Sequence, residues 1–523
     1  ETLTPDICVI GAGAGGLSVA AGAARFGAPV VLIEKGEMGG DCLNHGCVPS
    51  KTLIASAKVA QTMRDAARFG VHETEPRIEW AAVRNRVAGT IAEIAPMDSQ
   101  ARYAAMGVRV IRAAARFADA RTVEAGGFAI RARRFVIATG SAPAVPAIPG
   151  LELTRYLTNE TIFELDRLPQ RLLILGGGAV GVEMAQAFRR LGCEIVVLEA
   201  GACLAHEDPE LARVALDRLR REGVDIREDA KIIRFEPFHG GVRAIYPGPT
   251  MEHSVDGTHL LIATGRRPNV NGLGLEAAGV AFDAQGVTVD RHLKTSNRRV
   301  FAVGDATGQG GATHAASYHA EIVLRRILFR KRAAVMPERI PRVLYADPEI
   351  ASIGLSEEEA LRRFRNVRIL RWPVAENDRA RADGDTEGLI KLVVARDGRI
   401  LGCGVAARGG KPAGAALDFA LDPVAPELLS GGGVETLSPP ACRFSMMSIV
   451  PSSADRTILS GDLMRDPRAC RNSCLAVARA AAQEKNVLQK CRMIGREIGG
   501  PITSHPSCGK RRACPTACST CCR

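Results

Sequence analysis

The chain has 523 residues, 46% of them apolar, which suits about three domains that each bury a core. No apolar run approaches the roughly 20 residues that cross a bilayer, and the polar start does not resemble a signal peptide, so we expect a cytoplasmic protein without a membrane partner. The net charge of +12 is uneven, because residues 441–523 alone contribute +9. The nearly neutral remainder gives no reason to expect a nucleic-acid partner.

The first motif with chemical meaning joins a strand to a helix. The apolar segment Ile7–Ile10 leads into a glycine-rich turn and a small-residue helix, and a second strand, Val30–Ile33, ends at Glu34. The glycines of the turn are Gly11, Gly13 and Gly16. Such glycines allow a tight turn, the approach of a pyrophosphate and the packing of helix on strand. Glu34, 23 positions after Gly11, is placed to bind a ribose; the alternative is a plain turn followed by a solvated acid.

The same pattern recurs in the middle of the chain. Leu172–Leu175 leads into a second glycine turn and helix, and the strand Ile195–Leu198 ends at Glu199. The glycines of this turn are Gly176, Gly178 and Gly181. A carboxylate at Glu199 favours a free 2′-hydroxyl and repels a 2′-phosphate. The unit therefore predicts NAD rather than NADP, unless Glu199 is only a surface acid.

Two later segments, 135–140 and 260–265, are apolar strands that each end at a Thr-Gly turn. The turn residues are Thr139 with Gly140 and Thr264 with Gly265. As a pair they suggest the return strands of two related domains. Two dinucleotide sites in one chain imply two cofactors that exchange electrons, and FAD with NAD(H) is the economical pairing.

A cysteine pair, Cys42 and Cys47, lies after the first dinucleotide unit and close to Lys51. Two cysteines five apart at the start of a helix can contact each other if the first turn is distorted. The helix N-terminus lowers the pKa of a thiol, and the thiolate is the reactive form. The alternatives are two isolated thiols or half of a zinc site, but no further ligands stand nearby at matching spacing, so no metal site is predicted.

The sequence Cys-Leu-Asn-His-Gly-Cys-Val-Pro-Ser-Lys after a glycine motif resembles the class I pyridine nucleotide-disulfide oxidoreductases, in particular the dihydrolipoamide dehydrogenase and mercuric reductase branch. The resemblance runs from about residue 6 to about residue 408. It implies that Cys47 lies nearest the flavin and that Cys42 exchanges with substrate. It also implies that Lys51 lies beside the flavin N5 and pairs with Glu183.

Two further segments are similar to the second half of this family's FAD site. Gly304-Asp305 follows an apolar strand, and the resemblance implies that Asp305 holds the ribityl chain. The resemblance also implies that a helix pointing at the flavin pyrimidine begins at Thr313, His314 and Ala315. On the residues alone, a turn-capping Asp305 is an equal alternative.

The implied fold is α/β, with two Rossmann-like dinucleotide-binding domains, a partial α+β dimerisation domain and an irregular tail. The FAD domain is predicted over 1–150 and 270–335, the NAD domain over 151–269, the dimerisation domain over 336–408 and the tail over 409–523.

The tail departs from the family pattern. The family places a His-Pro-Thr-x-x-Glu segment, which supplies an acid–base to the partner subunit, where this chain has 437–441 without histidine. His505 imitates that segment but stands too late, with Lys510 in place of the Glu. Nine of the 15 cysteines fall in the last 83 residues, without a helical or strand period. We interpret the tail as disordered and out of the family's reading frame, although a metal-binding tail ending in Cys521-Cys522 is an alternative.

The predicted function is an FAD-dependent, NAD(H)-linked oxidoreductase that resembles dihydrolipoamide dehydrogenase and acts on a disulfide, a dithiol or a lipoyl group. Mercury(II) reduction at the same centre is the nearest alternative. A third possibility is an FAD-binding diaphorase with impaired disulfide chemistry, because the acid–base segment is missing. The family is homodimeric, which the incomplete interface domain puts in question here.

Overall fold

The computed structural model describes residues 1–309 and 311–408. The first sheet has five parallel strands, whose apolar residues are buried on both faces, as in other α/β sheets. In sheet order the strands are Val300–Ala302, Arg134–Ile137, Ile7–Ile10, Val30–Glu34 and Val108–Arg112. One face is covered by the helices Ala14–Arg25 and Thr313–Phe329, and the other by a small sheet. That sheet consists of Thr2–Leu3, Phe128–Ile130, Thr122–Ala125 and Arg116–Asp119.

Because the strand Val300–Ala302 completes a sheet built from residues 7–137, the first nucleotide-binding unit is assembled from two distant parts of the chain. Its remaining helices lie along the chain between the strands Val30–Glu34 and Val108–Arg112. They are Gly40–Asn44, Cys47–Arg64, Trp80–Ile94 and Gln100–Ala105, with 3-10 turns at Ala66–Phe69, Ala95–Asp98 and Gly304–Thr307. The order fits a discontinuous domain, while the bounds 1–150 and 270–335 stay predictions.

The second parallel sheet repeats this plan between the two parts of the first. In sheet order its strands are Tyr156–Leu157, His259–Ile262, Arg171–Leu175, Glu194–Leu198 and Asp225–Arg227. It packs against the helices Ala179–Arg190 and Pro209–Arg221 on one face. An antiparallel sheet covers the other face and consists of Arg234–Phe238, Gly241–Pro247 and Glu252–Gly257. The helix Pro209–Arg221 is capped by Asp208, which accepts the Glu210 N–H at 3.0 Å, and has proline in its first turn.

Short pairs and turns connect the two units. The antiparallel pairs are Ser141–Pro143 with Arg266–Pro268, and Phe282–Asp283 with Gly286–Val287. The 3-10 turns are Leu151–Leu153 and Ile162–Glu164.

The third sheet is antiparallel, as expected for an α+β domain. Its strands, in sheet order, are Arg342–Leu344, Glu349–Gly354, Ile400–Ala407, Leu389–Ala395 and Val367–Pro373. Its helices are Glu357–Arg363 and Asp378–Ala382, with 3-10 turns at Pro337–Arg339 and Val374–Glu376. The predicted tail, 409–523, lies outside the described residues, as do His505 and Cys521-Cys522. Within the described ranges no helix is both long and apolar enough to cross a membrane.

A buried lysine joins the third sheet to the second nucleotide-binding unit. Lys391 is 4% exposed, and its Nζ lies 2.7 Å from carboxylate oxygens of Asp208, Glu210 and Glu357. Asp208 and Glu210 begin one helix and Glu357 begins another, so a single cation pairs with carboxylates at the starts of two helices. Since removing one partner of a buried pair leaves an uncompensated charge, this cluster fixes the two elements together.

A second cluster of buried charges is centred on Asp347. Arg190, 3% exposed, contacts Glu222 at 2.6 Å and Asp347 at 2.8 Å. Arg408, which follows the strand Ile400–Ala407 paired with Glu349–Gly354, also reaches Asp347 at 2.8 Å and contacts Asp385 at 3.0 Å. The segment that follows Arg342–Leu344 is thereby held against the helix Ala179–Arg190, close to the cysteine pair.

Candidate active site

The two glycine turns have nearly the same geometry. Gly11 has φ +104°, and a Cβ there would lie 2.3 Å from the carbonyl oxygen of Ala138; Gly176 has φ +111°, and its Cβ would lie 2.4 Å from that of Ala263. A Cβ at Gly16 or Gly181 would overlap the carbonyl of the first glycine of its own turn. The first and third glycines are therefore required by the fold itself.

The second glycine of each turn is not required by the fold but leaves space beside the backbone. A Cβ at Gly178 would have no neighbour within 4 Å, and one at Gly13 would have only Gly40 Cα at 3.9 Å. The backbone N–H groups of each turn are thus approachable at the start of a helix, Ala14–Arg25 or Ala179–Arg190. An open backbone at a helix N-terminus is what a pyrophosphate requires, so both turns fit a dinucleotide.

The strand-end acids lie against these turns in matching positions. Glu34 accepts the Ala12 N–H at 2.6 Å, and Glu199 accepts the Gly177 N–H at 2.6 Å. Each carboxylate also accepts an N–H two residues beyond itself. These bonds keep a negative charge at the end of the second strand of each sheet, where a ribose of a dinucleotide lies in this fold.

The cysteine pair lies where two helices meet. Cys42 belongs to the short helix Gly40–Asn44, and Cys47 is the first residue of the helix Cys47–Arg64. Neither of them forms a disulfide bond in this structure. Cys47 Sγ lies 3.2 Å from Thr313 Oγ1, which brings the first residue of another helix to the pair.

The two thiols differ in acidity. A hydrogen bond from the Cys42 thiol lowers the pKa of Cys47, and with Thr313 and the Lys51 ammonium this outweighs burial, which acts to raise it. The same hydrogen bond, with burial and the negative charge of Cys47, raises the pKa of Cys42. At neutral pH these shifts favour the thiolate at Cys47 and the protonated thiol at Cys42, while the approach of Cys47 to the flavin and the exchange of Cys42 with substrate stay predictions.

Lys51 and Glu183 form an ion pair beside Cys47. Lys51 Nζ lies 2.7 Å from Glu183 Oε2, and the Glu183 side chain is 6% exposed. Burial lowers the pKa of Lys51, but the Glu183 carboxylate outweighs this and leaves the pKa raised, so the ammonium keeps its charge. The other Glu183 oxygen accepts the Tyr345 N–H at 2.9 Å.

The second FAD segment also reaches this region. Asp305 accepts the Ser141 hydroxyl at 2.6 Å and the Gly311 N–H at 2.8 Å, and it follows the strand Val300–Ala302 of the first sheet. His314 Nε2 donates to the Pro341 carbonyl at 2.5 Å, and burial lowers its pKa, so it is neutral. Ala315, the next residue of the same helix, is buried.

The threonines of the two Thr-Gly turns form hydrogen bonds with the segments that connect the two units. Thr139 donates to the Asn269 carbonyl at 2.7 Å, and Thr264 donates to the Ala144 carbonyl at 2.7 Å. Gly140 and Gly265 have φ of +67° and +116°, which allow the chain to leave each sheet at this point. These hydroxyls therefore bind protein carbonyls in this structure.

Sequence reasoning missed Arg266 and Tyr345. Arg266 Nε donates to Ser141 Oγ at 2.7 Å, and another of its nitrogens lies 3.2 Å from Asp41, next to Cys42. Arg266 directly follows the second Thr-Gly turn, so its place at a return-strand end was a usable signal. The Tyr345 ring lies over the Lys51 ammonium, 4.5 Å from Nζ to the ring centroid, and no local pattern indicates this.

Two dinucleotide turns around a cysteine pair define a flavin- and nicotinamide-dependent oxidoreductase. The family description "Pyridine nucleotide-disulphide oxidoreductase" matches residues 5–320, and its dimerisation domain matches residues 340–421, beyond the limit of about 408 set by the motifs. The chain belongs to this family. It therefore binds FAD with NAD(P)H as electron donor, contains the family's dimerisation domain and has the predicted mixed α/β fold.

Characterised relatives have different substrates. The chain is 36% identical over 415 residues to a mercuric reductase of Streptomyces lividans, covering 77% of this chain and 87% of the relative. It is 32% identical over 405 residues to a dihydrolipoyl dehydrogenase of Geobacillus stearothermophilus, covering 76% and 85%.

Solved structures agree with this fold. LpdA of Mycobacterium tuberculosis matches with TM-score 0.73 at 26% identity, covering 81% of this chain and 93% of that chain. The Cu(II) complex of the HOCl-induced flavoprotein disulfide reductase RclA of Escherichia coli matches with TM-score 0.70 at 26% identity, covering 85% and 100%.

Proposed function

We propose that this chain is an FAD-dependent, NAD(H)-linked oxidoreductase of disulfides or dithiols, similar to dihydrolipoamide dehydrogenase, with Cys42 and Cys47 as its redox pair. The observation that carries the proposal is the chemical inequality of the two cysteines. Cys47 is stabilised as a thiolate beside Lys51, while Cys42 is kept as a protonated thiol.

The inequality fits two successive thiol exchanges. Cys42, once deprotonated, attacks one sulfur of a substrate disulfide and releases the other sulfur as a thiolate. The Cys47 thiolate then attacks Cys42 Sγ, which releases the second substrate sulfur and leaves the Cys42–Cys47 disulfide. Two electrons pass to the substrate, and two protons convert its sulfurs to thiols.

The cofactors would be held by the two glycine turns. FAD would lie on the turn of Gly11, Gly13 and Gly16, with Glu34 at its ribose and Asp305 near its ribityl chain, and NAD(H) would lie on the turn that faces Glu199. Bound FAD supplies two-electron transfer between the nicotinamide and the cysteine pair. Lys51, held by Glu183, would supply a positive charge beside Cys47 and near that cofactor.

Mercury(II) reduction is a second candidate, because the Streptomyces lividans relative is more similar to this chain than the dihydrolipoyl dehydrogenase relative is. Two adjacent cysteine thiolates are soft ligands suited to such an ion. A diaphorase with weak disulfide turnover is the third, since the raised pKa of Cys42 calls for a base and the segment 437–441 has no histidine. We propose a homodimer on the strength of the dimerisation domain.

Anaerobic titration of the FAD-loaded protein with NADH, followed by separate additions of lipoamide, mercuric ion, glutathione disulfide and an artificial dye, tests these alternatives. Reoxidation by lipoamide supports the first candidate and reoxidation by mercuric ion the second. Reoxidation by the dye alone supports a diaphorase. Failure of NADH to reduce the protein would refute the proposal as a whole.

A further inference from the structure

Tyr345 comes from the third sheet but lies at the redox centre. It follows the strand Arg342–Leu344, and its backbone N–H donates to Glu183 at 2.9 Å. Its ring covers the Lys51 ammonium, with Nζ 4.5 Å from the centroid. Glu183 contacts the same ammonium at 2.7 Å. Lys51 is therefore held between a carboxylate and an aromatic face, and each of the three residues comes from a different sheet-based unit.

Four ionisable groups are near enough to act electrostatically on the Tyr345 hydroxyl. They are Cys47, Lys51, Glu183 and Glu349. Burial raises the pKa of the Tyr345 hydroxyl, so the side chain is neutral near pH 7 and presents an uncharged aromatic face to the ammonium. A cation over an aromatic face is attracted to it, most strongly where water is partly excluded.

The position of Lys51 matters because its charge acts on Cys47. The ammonium is one of the groups that lower the pKa of the Cys47 thiol. The Lys51 side chain is 27% exposed and could turn toward water if only Glu183 held it. The ring closes that side of the ammonium.

We propose that Tyr345 is a positioning residue of the redox centre. Its ring holds the Lys51 ammonium against Glu183 and thereby sets the fraction of Cys47 that is thiolate at neutral pH. This rests on the proposed function only in that Cys47 is the redox-active thiolate. The hydroxyl of Tyr345 is not required.

The test compares Tyr345→Phe, which keeps the ring, with Tyr345→Leu and Tyr345→Met, two variants without it, in the full-length FAD-loaded protein. The first readout is the pH profile of Cys47 alkylation by iodoacetamide after reduction, located by peptide mapping, which does not depend on flavin absorption. The second is the pH midpoint of the long-wavelength band of the NADH-reduced protein. Flavin content and circular dichroism verify the fold of each variant.

Tyr345→Phe should match the unmodified protein within about twofold, whereas the Leu and Met variants should lose roughly threefold to tenfold of the Cys47 thiolate at a pH below its midpoint. In a Lys51→Met background, removal of the ring should have no further effect. The proposal is overturned if the Phe variant loses as much as the Leu variant, if both ring-free variants keep the original profile, or if the loss persists without Lys51. An unmodified protein whose Cys47 alkylates like an ordinary thiol would overturn it together with the proposed function, whereas a normal profile left unmoved by these variants refutes Tyr345 alone.

Discussion

Replacing Cys42 separates the hydrogen bond within the cysteine pair from the other contacts of Cys47. The hydrogen bond from Cys42 is the largest influence that lowers the pKa of Cys47. In Cys42→Ser a hydroxyl can still donate to the thiolate, and in Cys42→Ala nothing can. A hydrogen bond to a charged group contributes roughly 1.5–3 kcal/mol, and one pKa unit corresponds to about 1.4 kcal/mol. We therefore expect the pKa of Cys47 to be about one to two units higher in the Ala variant than in the Ser variant.

Neither variant can form the disulfide, so both should show the long-wavelength thiolate–flavin band without NADH. As the pH falls, the thiolate is protonated and the band disappears, and this should occur at higher pH in the Ala variant. Cys47→Ser, which lacks the thiolate, is the control and should have no band at any pH. Thr313→Val removes the other hydroxyl contact of Cys47, at 3.2 Å, and should shift the midpoint in the same direction by less. Coincident midpoints for the Ser and Ala variants would refute the assignment of the hydrogen bond.

Three further predictions concern other sites. NADH should reduce the flavin faster than NADPH in stopped-flow measurements, and Glu199→Ala should make the two rates more similar. Equal rates in the unmodified protein would contradict the role of the strand-end acid. Burial lowers the pKa of His319 to about 4, so the free energy of unfolding should decrease by up to roughly 3 kcal/mol as the pH falls from about 6.5 toward 4. The Tm of His319→Gln should therefore depend less on pH than that of the unmodified protein. Lys391→Met should destabilise the protein by about 3–5 kcal/mol, whereas the control Arg84→Met, whose partner Asp166 is 93% exposed, should change Tm little. Similar decreases in the Tm of both variants would argue against a stabilising role of the buried cluster.

The parts of the fold that could be predicted from the sequence are those with local causes. A tight turn at Gly11 requires a positive φ whatever the rest of the chain does, and the same holds for Gly176. Strands buried on both faces are continuous apolar runs, and the residues at their ends are fixed by the sheet. The approach of Lys51 to Glu183, 132 residues apart, was accessible only through the resemblance to a known family.

Long-range ionic contacts could not be predicted in this way. Lys391 pairs with Asp208, which stands 183 residues earlier, and Arg408 pairs with Asp347, 61 residues earlier, beside the neighbouring strand of the third sheet. Each of these residues reads as an ordinary surface charge, because charged residues are rarely buried unless they are paired. Such ion pairs can be identified only from the folded structure, which brings the partners together. The contacts of Arg266 and Tyr345 at the candidate site could not be predicted for the same reason.

The difference in acidity between Cys42 and Cys47 has both local and long-range causes. Both belong to one short motif beside a helix start, so the motif alone gives either thiol an electropositive neighbour. The largest cause of their difference is the hydrogen bond that Cys42 donates to Cys47. Two sequence neighbours add to it, because Lys51 acts to lower the pKa of Cys47 and Asp41 acts to raise that of Cys42. Thr313, far along the chain, acts to lower the pKa of both thiols. Two contributions come from distant elements: Thr313 begins a helix of the first nucleotide-binding unit, and Glu183, which holds the Lys51 ammonium, lies on a helix of the second. The contact between these units therefore adjusts the acidity of Cys47, and a variant that loosens it should shift the pH profile of Cys47 alkylation, while the hydrogen bond from Cys42 keeps the two cysteines unequal.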